Sequence, residues 1–464
     1  MKIPRILLSA GSSGSGKTLI TCGILQALKN RKMKVASFKC GPDYIDPMFH
    51  SRVIGTKSRN LDTFFFGPEI TRHLLYKNAV DADIAVMEGV MGYYDGVAGT
   101  TTQASAYDLA VTTDTPTILI INSKGMSVSL AAYIKGFLQY RENSMINGII
   151  LNQMSPMLYP RMKALIEEEL HVDVVGYVPR LNDCIIESRH LGLVLPEEIE
   201  GLQNTLERLA LKLEKSLDFD AILKIAQQAP EVSDPFEDSQ VKSRLNPAFS
   251  KRLPEEMRIG YAKDAAFCFF YEDNFDLMRQ MGAELIPFSP LTDEKLPSNL
   301  DGILLYGGYP ELHGKELQEN ASMRKSVHDA VVNGMPCLAE CGGFMYLHKE
   351  MQGADGVYYQ MTDVIDGKVH RTDSLKRFGY ITLHEKEDHQ LGDVRAHEFH
   401  YYESDCCGSD FCAQKPKSNR GWECIHRTEH LLAGYPHVHY YANPEWIWQF
   451  FEKCLLYHEN KENV

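Results

Sequence analysis

The 464-residue sequence predicts an α/β protein built from two doubly wound domains, and three observations support this class. Short apolar strands alternate with stretches of helical periodicity along both halves of the chain. A glycine-rich loop follows the first strand, as in parallel sheets that bind nucleotides. The length exceeds what one hydrophobic core usually accommodates. We therefore expect a P-loop domain over 1–228, a linker over 229–255 and a second α/β domain over 256–464.

The loop at residues 11–18 reads Gly-Ser-Ser-Gly-Ser-Gly-Lys-Thr and fits the P-loop pattern G-x-x-x-x-G-K-[ST]. An apolar strand precedes it and apolar residues at helical spacing follow it, so the loop joins a strand to a helix. Gly14 and Gly16 allow backbone N–H groups to converge on phosphate oxygens at the helix N-terminus. Lys17 is expected to reach the terminal phosphates of ATP, and the Thr18 hydroxyl to hold Mg²⁺.

Carboxylates follow the second and third predicted strands, at the edge where parallel sheets bind their ligands. Asp43 and Asp46 follow the second strand, and Glu88 and Asp95 follow the third. Thr18, Asp43 and Glu88 make an economical magnesium shell, because a cation that bridges phosphates takes few protein oxygens. Asp46 and Asp95 are candidates for positioning substrate. For any single one of these acids, capping a helix is the simpler interpretation.

Three later strands, at 117–121, 148–151 and 174–178, complete the first predicted sheet. Asn152 ends the middle one of these strands. It is a candidate contact for the nucleobase of ATP, although a turn-forming asparagine explains it equally well.

A cysteine at a strand-to-helix turn marks the second domain. The apolar strand at 336–340 runs into Cys341-Gly342-Gly343, and an apolar helix follows. The helix N-terminus favours a thiolate, so Cys341 is predicted to be a nucleophile rather than a buried structural thiol. The N–H groups of Gly342 and of Gly308, which follows an earlier strand, are candidates for an oxyanion hole.

A nucleophilic cysteine needs a base from elsewhere in the chain. Residues 434–439 read Gly-Tyr-Pro-His-Val-His, which places His437 and His439 on one face of an extended segment. One of these two is predicted to be the base, and the residues leave the choice open. The competitor is the run 397–400, His-Glu-Phe-His, which lacks the H-E-x-x-H spacing of zinc proteases.

Taken together, these motifs resemble the cobyrinic acid a,c-diamide synthase family, which are glutamine-dependent amidotransferases of corrin biosynthesis. The first half is similar to dethiobiotin-synthetase-like ATP domains, and the second half to class I glutaminase domains. The resemblance covers nearly the whole chain. The runs that carry it are 11–18, 41–47, 88–92, 188–193, 266–269, 307–312, 339–343 and 397–401.

The resemblance implies a ligase that activates the a and c carboxylates of cobyrinic acid with ATP and amidates them with ammonia from glutamine. It implies that Cys341 is the glutaminase nucleophile and that His437 raises its nucleophilicity. It also implies that Asp95 lies near the acyl-phosphate chemistry, and that the three magnesium ligands are those named above. The sequence departs from the family at Pro436, where an aliphatic residue is expected, and at Asn122, where relatives commonly carry Asp.

Composition limits the partners. A formal net charge of −14 disfavours nucleic acid and anionic membranes as ligands of the whole chain. No apolar run reaches the length of a membrane span and no signal peptide is evident, so a cytoplasmic protein is expected, with a homodimer left open. The substrate's carboxylates require basic groups; the candidates are Arg59, Arg180, Arg189 and His190.

Two alternatives remain at this point. The same chemistry on hydrogenobyrinic acid or on a nickel-bearing sirohydrochlorin would use the same motifs. A regulatory P-loop ATPase with a non-catalytic glutaminase-like binding module belongs to another class. Such ATPases carry a second lysine early in the loop, where Ser12 and Ser13 stand here.

Overall fold

A computed structural model describes residues 1–181, 188–189, 192–193, 195–255, 257–386 and 391–462. The chain forms two compact units, Met1–Glu237 and Asp238–Val464. The predicted α/β class is confirmed in both units, each of which is built on a mainly parallel sheet. The interval expected to be a linker holds a short helix, Ser239–Leu245, at the start of the second unit.

The first unit is organised around a seven-stranded sheet in the order β3-β2-β4-β1-β5-β6-β7, with every neighbouring pair parallel. Fully buried apolar residues fill its central strands, as expected for a sheet covered on both faces. The strands are β1 (Arg5–Ala10), β2 (Val35–Cys40), β3 (Arg59–Leu61), β4 (Ile84–Glu88), β5 (Thr117–Asn122), β6 (Ile146–Asn152) and β7 (Asp173–Val178), followed by the two-residue strands β8 (Ser188–Arg189) and β9 (Gly192–Leu193).

Helices connect these strands and cover the sheet. Two of them begin at a capping side chain of the N-cap residue: Ser105 and Asp218 each accept a backbone N–H of the helix that follows. Among the described residues, every helix is too short or too polar to cross a membrane. The helices of this unit are α1 (Lys17–Asn30), α2 (Ile45–Ile54), α3 (Pro68–Ala79), α4 (Ala106–Thr112), α5 (Ser129–Gln139), α6 (Tyr159–Leu170), α7 (Leu202–Glu214) and α8 (Phe219–Gln227).

The second unit has a six-stranded sheet in the order β11-β10-β12-β13-β23-β22, parallel except for its last pair. Its helices are α9 (Ser239–Leu245), α10 (Glu272–Met281), α11 (Gly314–Glu319), α12 (Ala321–Val332), α13 (Gly342–Tyr346) and α14 (Glu445–Glu462). The strands of this sheet are β10 (Met257–Ala262), β11 (Ala283–Phe288), β12 (Gly302–Leu305), β13 (Cys337–Glu340), β22 (His426–Arg427) and β23 (Leu431–Gly434).

Two further sheets lie between α13 and α14 in the sequence, and the doubly wound prediction did not include them. One has the order β15-β14-β16-β19, and the other, entirely antiparallel, has the order β21-β20-β17-β18-β24. Their strands are β14 (His348–Gln352), β15 (Tyr358–Gln360), β16 (Ile365–Arg371), β17 (Arg377–Glu385), β18 (Val394–His400), β19 (Tyr402–Ser404), β20 (Phe411–Gln414), β21 (Gly421–Cys424) and β24 (His437–Val438).

A buried histidine at the start of β14 connects α13 to the first of these two sheets. His348 Nδ1 lies 2.8 Å from the carbonyl oxygen of Phe344, and its Nε2 lies 2.7 Å from the hydroxyl of Ser404. The carbonyl can only accept, so Nδ1 carries the proton and Nε2 accepts from the serine. Burial lowers the pKa of His348 to about 4. The folded chain therefore holds this ring neutral where an exposed histidine would gain a proton.

We expect this histidine to make the second unit sensitive to acid. The pKa of His348 falls from 6.5 to about 4 on folding. Its contribution to the free energy of unfolding is therefore complete above pH 6.5 and is lost as the pH falls toward 4. The full contribution is about 3 kcal/mol. The difference in unfolding free energy between wild type and His348→Gln should shrink over that pH window.

Tryptophan fluorescence can follow this transition, because all three tryptophans, Trp422, Trp446 and Trp448, belong to the second unit. A constant difference between wild type and His348→Gln across the window would contradict the assignment.

Candidate active sites

The predicted P-loop lies between β1 and α1, and Lys17 is the first residue of the helix. Gly14 and Gly16 have φ values of 73° and 86°, in the left-handed region that glycine adopts without strain. Lys17 Nζ donates to the carbonyl oxygens of Ser12 (3.0 Å) and Met91 (2.5 Å). Burial, followed by repulsion from a second lysine, lowers the pKa of Lys17 to about 8. A polyphosphate bound in the loop would therefore meet the Lys17 ammonium already held against the loop by these two carbonyl oxygens.

The carboxyl ends of β1, β2 and β4 meet beside this loop, because Glu88 is in register with Leu8 on one side and Lys39 on the other. Thr18 Oγ1 donates to Glu88 Oε1 (2.7 Å) and also lies 3.2 Å from Asp46 Oδ2. Lys39 Nζ lies 2.9 Å from Glu88 Oε1 and 2.5 Å from Asp46 Oδ2. A hydroxyl, two carboxylates and an ammonium thus form one buried cluster.

Two opposing effects, burial and ion pairing, determine the charge states within this cluster. Burial alone would raise the pKa of Glu88, but Lys39, with hydrogen bonds from His50 and Thr18, holds it well below its usual range. Burial alone would lower the pKa of Lys39, but Asp46 and Glu88 raise it well above its usual range. Glu88 is therefore an anion and Lys39 a cation.

A second buried contact orients Glu88. His50 Nε2 lies 2.7 Å from Glu88 Oε2, and His50 Nδ1 lies 3.0 Å from the Ser37 hydroxyl. The histidine is fully buried, so these two hydrogen bonds hold the Glu88 carboxylate in one rotamer. Sequence reasoning missed His50 and Lys39. A lysine inside the apolar strand β2 was the available signal, because a lysine is almost never fully buried without a partner.

The other acids predicted for this site make local contacts. Asp43 Oδ1 accepts the backbone N–H groups of Ile45 (2.8 Å) and Asp46 (3.0 Å), which caps α2. Asp95 Oδ2 accepts the N–H of Gly92 at 3.0 Å. The structure therefore brings Asp46, rather than Asp43, into hydrogen-bond contact with Thr18. The assignments of Asp43 to magnesium and of Asp95 to catalysis stay predictions.

Asn152 lies against the P-loop, where its Nδ2 donates to the Ser15 carbonyl oxygen at 2.9 Å. A Cβ at Gly16 would lie 2.9 Å from the same Nδ2, so the glycine permits this close approach. The predicted nucleobase contact is thus at the nucleotide loop, and its role stays a prediction.

Of the basic residues considered for the substrate's carboxylates, Arg59 is half-buried in β3 and Arg180 is exposed. His190 and the side chain of Arg189 lie outside the described residues.

The donors at this site suit a hard cation. Thr18, Glu88 and Asp46 present oxygen atoms, which is the ligand type that Mg²⁺ prefers. In the described ranges, no group of three His, Cys, Asp or Glu side chains is placed to hold a metal ion. A magnesium ion bound here would take the threonine hydroxyl and one or two carboxylates, and complete its shell with water and nucleotide phosphates. The residues fit that arrangement.

In the second unit, Cys341 stands between β13 and α13 with φ 47° and ψ −105°. This backbone conformation is unusual for a residue other than glycine and is typical of a nucleophile held on a sharp turn. The N–H of Cys341 donates to the Gly434 carbonyl oxygen at 2.8 Å. A Cβ at Gly343 would collide with the Leu305 carbonyl oxygen, so only glycine permits the turn.

The thiol differs from the sequence-based expectation in one respect. The helix terminus was expected to lower its pKa, yet burial raises the pKa of Cys341, and the carboxylates of Glu311 and Glu398 raise it further. A helix of five residues offers little dipole against the burial of a thiol that is 7% exposed. The resting form is therefore the thiol, and a base must remove its proton.

His437 lies at this elbow. It pairs with His397 across β24 and β18, and its Nδ1 lies 3.5 Å from Oε2 of Glu340, the residue before the cysteine. A Cβ at Gly307 would lie 2.6 Å from His437 Cε1, so the ring packs directly on that glycine. Glu340 is buried, which raises its pKa, and the histidine opposes that shift. The carboxylate next to Cys341 thus faces the candidate base.

The alternative bases have other contacts. The ring of His439 lies 4.7 Å from that of Tyr271, and its Nδ1 is 3.3 Å from the N–H of Tyr441. In the 397–400 run, His400 Nε2 lies 3.0 Å from Glu398 Oε2. Of these rings, His437 is the one whose Nδ1 faces the residue before the cysteine, and its role as the base stays a prediction.

The two glycines predicted for the oxyanion hole approach each other. Gly308 follows β12 and has φ 156°. A Cβ at Gly342 would lie 3.1 Å from the Gly308 nitrogen. The two N–H groups thus belong to adjoining segments beside Cys341, and their part in stabilising an oxyanion stays a prediction.

Both halves of the chain are similar to known proteins. Residues 6–193 match the family described as the CobQ/CobB/MinD/ParA nucleotide binding domain, and residues 258–445 match the CobB/CobQ-like glutamine amidotransferase domain. Cobyrinate a,c-diamide synthase of Caldanaerobacter subterraneus subsp. tengcongensis is 37% identical, covering 97% of this chain and 98% of its own length. The proteins of the same name from Listeria innocua (38% identical; 96% of this chain, 98% of that protein) and Priestia megaterium (36%; 97% of each) are similar. With both halves matched at these levels, the chain belongs to the cobyrinate a,c-diamide synthase family.

Proposed function

We propose that this protein amidates the a and c side-chain carboxylates of cobyrinic acid, using ATP and the amide nitrogen of glutamine. The observation that carries the proposal is the pairing of two sites in one chain. A P-loop with Lys17 and Thr18 lies beside a buried carboxylate cluster in the first unit. In the second unit, an elbow cysteine directly follows Glu340, whose Oε2 lies 3.5 Å from His437 Nδ1. Relatives named for this reaction match along nearly the whole length.

The first site activates the carboxylate. A carboxylate does not react with ammonia, because oxide is a poor leaving group. Its oxygen instead attacks the γ-phosphorus of ATP and ADP leaves, which gives an acyl phosphate. Lys17 and the loop N–H groups stabilise the charge that develops on the phosphate oxygens. Ammonia then displaces phosphate from the acyl carbon.

We further propose that magnesium accompanies ATP, held by Thr18 and Glu88 with Asp43 or Asp46. When bound, it neutralises charge on the phosphate oxygens. Glu88 is kept anionic and fixed by Lys39 and His50, which prepares it as a ligand. Asp95 accepts the N–H of Gly92, and we propose that it acts at the acyl phosphate.

The second site releases the nitrogen. The Cys341 thiol gives its proton to His437 as sulfur attacks the glutamine side-chain carbonyl. The N–H groups of Gly308 and Gly342 stabilise the resulting oxyanion. The amide nitrogen takes the proton and leaves as ammonia, and water hydrolyses the thioester to glutamate. The raised pKa of the thiol makes the base essential, because little thiolate forms without it.

The proposed setting is the cytoplasm, without nucleic acid as a partner, and the charge of −14 supports this. A homodimer is the proposed assembly. Sedimentation of the purified chain tests the assembly directly.

The test of the function is to incubate the protein with ATP, glutamine and, in turn, cobyrinic acid, hydrogenobyrinic acid and nickel sirohydrochlorin. Cobyrinic acid is expected to show the mass change of two hydroxyls replaced by two amino groups. Preferential amidation of another tetrapyrrole would replace the substrate in this proposal. ATP hydrolysis without amidation of any of them would favour the regulatory ATPase.

A pair of variants separates the two candidate bases. His437→Ala is expected to lower glutamine-dependent amidation at least about a hundredfold, because general-base catalysis contributes that much or more. His439→Ala, the matched control two residues away, should lower it much less. Both should retain amidation from ammonium salt. A larger loss in His439→Ala than in His437→Ala would contradict the assignment.

A further inference from the structure

A cavity of about 560 Å³ opens beside the P-loop of the first unit. Gly11 of the loop and Asp95 border it, and the segment 99–102 lies along one side. Its volume is in the range of small-molecule sites. On the α5 side it is lined by Ala132, Tyr133, Gly136, Phe137, Tyr140 and Arg141. These positions recur at intervals of three and four, so they form one face of the helix and its C-terminal end.

The lining is rich in aromatic rings, several of which face solvent. Tyr133 is 42% exposed and Tyr140 is 60% exposed. Tyr94 stacks on Phe137 with ring centroids 5.8 Å apart and an interplanar angle of 17°, and it meets the Tyr140 ring edge at 4.9 Å. The Tyr94 hydroxyl also donates to the Phe137 carbonyl oxygen at 2.7 Å, which fixes the ring. Grouped, exposed aromatic surface of this kind marks a binding site more often than a solvated face.

The same cavity is lined by a positively charged side chain and by two small residues of α5. The guanidinium carbon of Arg141 lies 4.6 Å from the centroid of the Tyr140 ring. Ala132 and Gly136 carry little or no side chain, which leaves room above the helix for a broad ring. An arginine next to aromatic rings suits a ligand that combines an apolar body with carboxylates.

We propose that this cavity binds the macrocycle of the tetrapyrrole substrate. The macrocycle lies over Tyr94, Phe137 and Tyr140, and one of its carboxylates pairs with Arg141. The opposite edge then directs a carboxylate toward Asp95 and toward Gly11, where the nucleotide loop begins. This inference rests on the proposed function and adds to it the surface that holds the substrate. It also replaces the arginines first considered from the sequence with Arg141.

Gly136→Leu tests the cavity without damaging the helix. Within the part of the chain that is described, a Cβ at Gly136 has no other heavy atom within 4 Å, so the new side chain enters the cavity. Leucine also favours a helix over glycine. We expect the dissociation constant for cobyrinic acid, measured by its absorbance spectrum, to rise at least about tenfold, because overfilling a fitted surface is costly. ATP binding and glutaminase activity should stay at the wild-type level.

Lys135→Leu is the matched control, because it adds the same side chain at the neighbouring exposed position of α5. It should bind cobyrinic acid as wild type does. Arg141→Gln is the second variant and should weaken binding of cobyrinic acid more than binding of a fully amidated analogue. That difference reports a lost carboxylate contact rather than a disturbed fold.

Unchanged cobyrinic acid affinity in both Gly136→Leu and Arg141→Gln, with amidation intact in wild type, would overturn the cavity assignment and leave the proposed function standing. Loss of self-association in Gly136→Leu with unchanged affinity would overturn it in favour of a second copy of the chain. Failure of wild type to bind or amidate any tetrapyrrole would overturn both.

Discussion

Replacing Cys341 by alanine is expected to lower amidation from glutamine at least about a thousandfold, while amidation from added ammonium salt stays close to wild type. The reason is that the thiol serves only to release nitrogen, and its site belongs to the second compact unit. The measurement is the rate of ADP formation and of product amidation with each nitrogen source. The ammonium reaction also shows that the variant is folded.

Cys412→Ala is the matched control, since Cys412 is a half-buried thiol of the same unit on β20. It should retain both activities. Equal loss of the glutamine and ammonium reactions in Cys341→Ala would contradict the division into two sites. Retention of the glutamine reaction would show that another group is the nucleophile.

Replacing Lys17 by methionine is expected to give the opposite pattern. Amidation should fall about a hundredfold to a thousandfold with either nitrogen source, because one charged donor to the transferring phosphate is removed. Glutamine hydrolysis measured by glutamate release should persist. Methionine keeps the length of the side chain and removes its charge, so the change isolates the ammonium that contacts Ser12 and Met91.

Lys215→Met is the control for the loss of one positive charge, because Lys215 is an exposed residue just after α7 in the same unit. It should behave as wild type. An amidation rate in Lys17→Met within a few-fold of wild type would contradict the assignment of the loop to phosphoryl transfer.

Local patterns were sufficient to predict the main elements of both sites. The P-loop pattern is contiguous, and the apolar residues on either side require a strand and a helix in that order, so Lys17 at the start of α1 followed from the sequence. The elbow at Cys341 followed in the same way from an apolar strand, two glycines and an apolar helix. These predictions depend on neighbouring residues, for which spacing in the sequence determines position.

The partners across the fold could not be predicted in this way. Glu88 meets Lys39 because β2 and β4 are adjacent and in register, and strand order is not encoded in any one segment. Glu340 lies near His437 because β24, which carries the histidine, pairs with β18, and this pairing is not encoded in either segment alone. The sequence did not show which carboxylate lies near the candidate base.

The additional sheets and the thiol illustrate the same limit. Among the strands from β14 to β21, every pair except β14–β16 is antiparallel, so alternation of strand and helix does not predict them. The pKa of Cys341 depends on how far the surrounding core buries it, and the helix-terminus argument considered only the dipole.

The most direct test of the account follows the oxygen atoms of the substrate. Cobyrinic acid whose carboxylates carry an isotopic oxygen label is incubated with ATP, glutamine and the protein, and the phosphate is recovered. Attack on the γ-phosphorus followed by displacement predicts one labelled oxygen in inorganic phosphate for each amide formed, with ADP as the other product. Unlabelled phosphate accompanying amide formation, or label recovered in AMP, would contradict activation as an acyl phosphate in the P-loop site.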